Sequence, residues 1–220
     1  MPEQIPLPGF EPGGKKRLLR VRTPRQGDPR PPVRARHSMF FALRPAQEAP
    51  GLISRLTLRL GAQYDLGDKL LPPERWHVTL LSMGGYAELE KLLAYADPVK
   101  AAAARVSARP FDISFDQVAS FERWKPAEPL DPVVLTADGA GIAAAMDFQL
   151  LLEQVMKRAG LRMIIGKRTR PHLTLSYSAR KLVPRQAIAP IGWTAHEFVL
   201  IRSVIGEATH VELGRWPLLM

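Results

Sequence analysis

Apolar positions along this chain fall into short runs and stripes cut by proline and glycine. Residues 39–43 (Met-Phe-Phe-Ala-Leu) make an apolar run of strand length, ended by Pro45. Residues 47–60 carry Leu52, Ile53, Leu56 and Leu60 at near-helical spacing, with Pro50 placed in the first turn. After Pro72 and Pro73, residues 76–83 read as a strand. Residues 86–106 are rich in Ala and Leu and predict one or two helices, because Pro98 interrupts them. Residues 111–121 alternate, with Phe111, Ile113 and Phe115 on one face, and residues 133–135 predict a further short strand. A helix is expected over 141–159 with Ile142, Met146, Leu150, Val155 and Ala159 as its stripe, stopped by Gly160. Residues 172–176, 198–205 and 211–219 complete the strands. Strands and helices interleave without the regular alternation of a doubly wound sheet, so the expected class is α+β.

Composition bounds this picture. With 220 residues, 46% of them apolar, the chain can form one domain with a sizeable core or two closely packed lobes. No apolar run reaches the ~18–20 residues of a helical membrane span, so no membrane partner is expected. Cysteine is absent, which excludes disulfide scaffolds, thiolate metal sites and cysteine nucleophiles.

The net charge of +10 favours polyanionic partners, nucleic acid before anionic lipid. Residues 1–37 hold nine basic residues against three acidic ones, and eight of the 21 prolines. Such a segment cannot propagate a helix and lacks apolar residues to offset the entropy of ordering, so it reads as a disordered basic tail, with residues 38–220 as the folded domain. It has no hydrophobic signal region, and its prolines argue against the amphipathic helix of a transit peptide; a cytoplasmic protein is expected. The tail is either an RNA tether or a solvated extension.

Two strands carry candidate chemistry. Arg75-Trp76-His77-Val78-Thr79-Leu80 and Arg170-Pro171-His172-Leu173-Thr174-Leu175 share the pattern Arg-x-His-x-Thr-Leu, and their histidines lie 95 positions apart. Residues two apart on a strand share a face, so each His points with its Thr, while Val78 and Leu80 point the other way. Imidazole beside hydroxyl, twice, suits phosphate chemistry: the hydroxyl donates to a nonbridging oxygen and the imidazole moves a proton near neutral pH. A single His-x-Thr on a half-buried strand is usually structural; the repetition carries the reading. Metal ligation is disfavoured because Thr is a poor ligand and neither motif has Asp or Glu at ligand spacing, so neither metal nor other cofactor is expected. His37, His196 and His210 lack a motif or partner in the sequence. Asp138-Gly139 reads as a turn, and Tyr177 as a core residue in preference to a stacking partner for a base.

These paired motifs resemble the 2H phosphoesterase superfamily, and within it the LigT-like RNA 2′,3′-cyclic phosphodiesterases, also known as 2′-5′ RNA ligases. Phe40-Phe41-Ala42 resembles the family's first strand, Pro73-Glu74-Arg75-Trp76 its approach to the first motif, and Arg215-Trp216-Pro217-Leu218 its C-terminal ending. The resemblance covers residues 38–219. It implies a bilobal, pseudo-twofold α+β fold, two antiparallel-rich sheets flanking a central cleft with helices outside. Carried over, His77 and His172 are the catalytic pair, His77 as acid and His172 as base, and Thr79 and Thr174 bind the substrate. Phe40, Arg170 and Lys167 are further substrate-binding candidates by the same resemblance.

The implied partners are RNA with 2′,3′-cyclic phosphate ends or cyclic nucleotides, with no obligate protein partner. The implied reaction is hydrolysis to the 2′-phosphate, with weaker reverse joining to a 2′-5′ linkage. Two alternatives stay open: a related esterase acting on 2′-5′ oligonucleotides or cyclic ADP-ribose phosphate, and an RNA-binding protein with little turnover.

Overall fold

A strand–helix–strand unit occurs twice in the chain, each time ending in a His-x-Thr strand, and the fold is built on that repetition. The computed structural model describes residues 35–64, 66, 70–121, 132–163, 170–177, 182–207 and 209–219. The first unit is β1 (His37–Leu43), α1 (Ala49–Tyr64) and β2 (Val78–Tyr86); α2 (Leu89–Ala103) and β3 (Phe111–Ser120) follow. The second unit is β4 (Val133–Thr136), α3 (Ala140–Arg158) and β5 (Leu173–Ser176), followed by β6 (Gln186–Ala195), β7 (Glu197–Val204) and β8 (Thr209–Pro217).

All eight strands belong to one antiparallel sheet in the order β6-β3-β4-β5-β2-β1-β7-β8. The two expected sheets are therefore two four-stranded halves of a single sheet. They meet where β2 pairs β5 through one register, Val78 opposite Leu173. Each half places its His-x-Thr strand at this seam.

Alternation then decides what is core. Met39, Phe41 and Leu43 on β1, Val78 and Leu80 on β2 and Phe198 and Leu200 on β7 are buried together in the main core. Phe198 packs on Trp216 with ring centroids 5.3 Å apart and on Phe148 of α3 at 5.2 Å, so the C-terminal strand is tied to the helix layer by aromatic contacts. The opposite face of the same strands carries a small separate cluster of Phe40, Ala42, Val199 and Ile201. Val78 and Leu80 thus face the core, as alternation predicts, and leave the other face to His77 and Thr79.

Several expectations shift. α2 runs unbroken through Pro98, because Leu92, Ala96, Val99 and Ala103 form one buried stripe on both sides of it; that packing offsets the ~3 kcal/mol cost of an interior proline. Tyr86 ends β2 and does not begin a helix. The buried stripe of α3 is Ile142, Ala145, Phe148, Gln149, Leu152 and Met156, rotated from the expected one, and Met146 is exposed. Tyr177 is exposed beyond the end of β5 and not a core residue. β6 has no counterpart in the sequence pattern: Pro190 and Gly192 read as breakers, yet it is the edge strand beside β3, where a missing N–H is tolerated. Asp138-Gly139 is a turn, with Gly139 at φ +70° directly before α3. The expected tail falls largely on residues 1–34, outside the described residues.

Candidate active site

The single pairing at the seam assembles the site. Because β2 and β5 run antiparallel with Val78 opposite Leu173, His77 falls across from Thr174 and Thr79 across from His172. Directly opposed side chains in such a pair lie on the same face with Cβ atoms ~4.5–5.5 Å apart. Two histidines and two threonines, 95 positions apart in the chain, become neighbours on one face. Thr174 is buried, and His77, Thr79 and His172 are half-buried.

Each imidazole is held the same way. His77 Nδ1 is 2.7 Å from the Arg75 carbonyl oxygen, and His172 Nδ1 is 2.9 Å from that of Arg170. A carbonyl can only accept, so both Nδ1 atoms carry the hydrogen and donate it. That fixes the tautomer and leaves each Nε2 as the nitrogen that can take or give a proton. The Arg two residues before each His therefore acts through its backbone. Below the site, Gln149 Nε2 of α3 donates to the Thr79 carbonyl at 3.3 Å.

The surroundings of the two rings differ. His77 stacks on Phe40 with centroids 5.0 Å apart, and His210 of β8 meets His77 edge-on, also at 5.0 Å, and Phe40 at 5.8 Å. His172 has Phe121 edge-on at 4.9 Å. Burial pushes His77 down to about 4, with Arg44, Arg75 and His172 adding repulsion against the bond to the Arg75 carbonyl. His172 is lowered by burial, partly offset by its bond to the Arg170 carbonyl. His210 is also pushed down to about 4, by burial and then by His77, Arg75 and Arg44.

Cations around the site are unequally committed. On the His172 side, Arg170 pairs with Asp138 at 2.7 Å, and Arg185 reaches the same carboxylate at 3.3 Å and Gln117 Oε1 at 2.8 Å. On the His77 side, Arg44 donates to the Glu74 carbonyl at 2.6 Å and stands 4.0 Å from Glu212, while Arg75 Nε is buried without a partner.

Of the residues singled out in the sequence, His77, Thr79, His172 and Thr174 come together. Phe40 joins them, but at 9% exposure its ring serves the His77 stack and presents no open platform for a base. Arg170 is adjacent, with its guanidinium given to Asp138. Lys167 lies outside the described residues. Sequence reading missed His210, Phe121, Gln149, Arg44 and Asp138. Only the cross-strand register could have signalled His210, since Ser38, Ser203 and His210 lie opposite one another on β1, β7 and β8. Among the described residues, no group of three or more His, Asp and Glu gathers as a metal site.

Comparison with known proteins agrees with this architecture. The chain is similar to the crystal structure of E. coli LigT complexed with 3′-AMP, at TM-score 0.59 and 19% identity, over 84% of this chain and 99% of that one. It is likewise similar to TT0787 of Thermus thermophilus, at TM-score 0.57 and 22% identity, over 82% and 97%. At these identities the likeness is one of fold. No curated protein matches the sequence. The family model of the 2′-5′ RNA ligase superfamily matches residues 42–206, which contain both motifs and the seam between them. By that match the chain belongs to the 2′-5′ RNA ligase superfamily, as a LigT-like 2H phosphoesterase.

Proposed function

We propose that the protein hydrolyses 2′,3′-cyclic phosphate ends of RNA or nucleotides to the 2′-phosphate by two-histidine acid–base catalysis without a metal. The observation that supports this most is the seam register, which sets each His across from the other motif's Thr, with Nδ1 of both rings on a carbonyl and Nε2 without a hydrogen-bond partner among the described residues. Water attacks phosphorus while neutral His172 takes its proton at Nε2. The bond from phosphorus to O3′ breaks, and protonated His77 delivers its proton to that oxygen. The hydroxyls of Thr79 and Thr174 donate to nonbridging oxygens and stabilise the charge that grows there in the transition state. Each proton transfer contributes ~10²–10⁴-fold. With a 5′-hydroxyl in place of water as the attacking group, the same steps in the same direction join RNA through a 2′-5′ linkage: His172 takes the hydroxyl proton and His77 protonates the departing O3′.

The test is phosphorus NMR of the protein with 2′,3′-cyclic nucleotides and a cyclic-phosphate-ended oligonucleotide, which reports turnover and which phosphate appears. His77→Ala and His172→Ala should each lose at least ~10²-fold in kcat with the fold intact by circular dichroism. Thr79→Ala and Thr174→Ala should lose ~10- to 10³-fold. Near wild-type turnover in either His variant rejects the mechanism. Accumulation of the 3′-phosphate rejects O3′ as the leaving group.

A further inference from the structure

The cations beside His77 have no role in the steps above; Arg44 stands 4.0 Å from Glu212, a carboxylate that Arg215 already holds at 2.8 Å, and Arg75 Nε is buried without a partner. His210 reaches His77 from β8, three strands beyond β2 in the sheet order, whereas His172 reaches it from β5 on the opposite side. The register places Ser38, Ser203 and His210 on one face, and Phe40, Ile201 and Glu212 on that same face one step along, so β8 carries His210 over the apolar floor toward His77. His210 Nδ1 is buried without a partner, which leaves Nε2 as its polar outlet. Arg75 and Arg44 act on both His77 and His210, and Glu212 is the one acidic side chain that pairs with Arg44 among the described residues.

We propose that Arg44, Arg75 and His210 form a second anion subsite, beyond His77 from His172, that takes the phosphodiester preceding the cyclic end of an RNA chain. This rests on the reading above and names its preferred substrate: an oligonucleotide, not a mononucleotide. The chemistry fits the assigned roles. The acid protonates O3′, so the ribose lies on the His77 side, and the chain leading from its O5′ continues past His77 toward His210. Guanidinium groups are suited to a diester oxygen pair, and a neutral imidazole offers one further donor. Burial is the main cause that lowers His77, and an anion seated there offsets the repulsion that Arg44 and Arg75 add to it, so binding the chain favours the protonated acid. Among the described residues, His172 across the site acts on His77, and Glu212 on β8, itself held by Arg215, stands 4.0 Å from Arg44.

The probe is a dinucleotide ending in a 2′,3′-cyclic phosphate, compared with the same molecule whose internal linkage is a neutral methylphosphonate. Wild-type protein should favour the charged dinucleotide by ~10- to 100-fold in kcat/KM, the scale of charge-assisted bonds removed together. Arg44→Gln and His210→Phe should each shrink that ratio by ~3-fold or more, His210→Phe although it keeps the edge-on packing, while His210→Gln, which retains a neutral donor, should shrink it less. The loss of activity on raising pH should also begin at higher pH with the charged dinucleotide. A wild-type ratio near one overturns the subsite, and a ratio preserved in His210→Phe reduces His210 to packing. Calorimetry with the matching dinucleotides ending in a 2′-phosphate gives the same ratio without turnover. A preserved binding ratio with no cleavage would therefore strike the proposed reaction and spare the subsite.

Discussion

At the scale of single residues, the unusual state is that both histidines of the site are neutral at pH 7 in the free protein. His77 is lowered from 6.5 to about 4, and His172 is lowered by burial. A two-histidine reaction needs one ring protonated and the other not, so the productive form holds one proton in total. In free protein that form grows as pH falls below 6.5 and declines once a second proton is taken up. For a cyclic mononucleotide, kcat/KM should therefore rise as pH is lowered from 7, peak on the acid side of 6.5, and fall again toward about 4. The limbs of kcat should lie at higher pH, because the bound phosphate anion stabilises the protonated rings. A kcat/KM profile that is flat from about pH 4.5 to 8 would sink paired-histidine catalysis. The tautomer lock uses a main-chain carbonyl at the same offset before each His, which any residue supplies, so it leaves the recurrence of Arg75 and Arg170 without a structural explanation. That offset is visible in the sequence, but its meaning emerges only with the backbone path.

At the scale of elements, α3 supports the site through one buried polar residue. Gln149 lies in a stripe otherwise made of Ile142, Ala145, Phe148, Leu152 and Met156, and donates to the carbonyl of Thr79. Gln149→Leu should cost about 1–3 kcal/mol of stability, because the carbonyl loses its donor in a dry site. It should also lower kcat by ~10-fold with KM little changed, since small displacements of a catalytic group are expensive. Unaltered melting temperature and kcat would remove Gln149 as a positioning residue.

The element scale is also where the sequence was least legible. β1, β2, β3, β5 and β7 follow from apolar runs or alternation, and the two motifs fall where a strand should begin. In α3 the apolar Met146 and Leu150 lie outside the buried face, so periodicity alone gave a rotated stripe and no partner for Gln149. β6 hides behind Pro190 and Gly192 because an edge position relaxes the rules that make a strand readable. His210 was illegible for a different reason. It belongs to no motif, and its place beside His77 depends on the pairings that separate β8 from β2 and on the curl of the sheet that closes the gap.

At the scale of the whole molecule, two repeated units share one sheet, and their near-equivalence ends where the charge does. On the His172 side Arg170 and Arg185 share Asp138 at 2.7 and 3.3 Å, whereas on the His77 side Arg44 meets Glu212 at 4.0 Å and Arg75 Nε is buried without a partner. A strand of RNA would then run outward from the seam on the His77 side. Residues 1–34 add eight basic residues against three acidic ones, half of the net +10, and contain neither motif. Deleting them should leave kcat and KM for a cyclic mononucleotide within ~2-fold, because that substrate offers a single phosphate, which the proposed mechanism seats at the seam. Binding to a long single strand should weaken, and each phosphate that the segment no longer neutralises should flatten the slope of log affinity against log salt by ~0.7. About four such phosphates would make the truncated slope shallower by ~3. The cut leaves the entry to β1 intact, where Arg36 N–H donates to the Tyr86 carbonyl at 2.8 Å and its own carbonyl accepts from Ile205 at 2.8 Å. Equal salt slopes for the full and truncated proteins would make the segment a passive extension. A collapse of mononucleotide turnover would instead place part of it in the site itself.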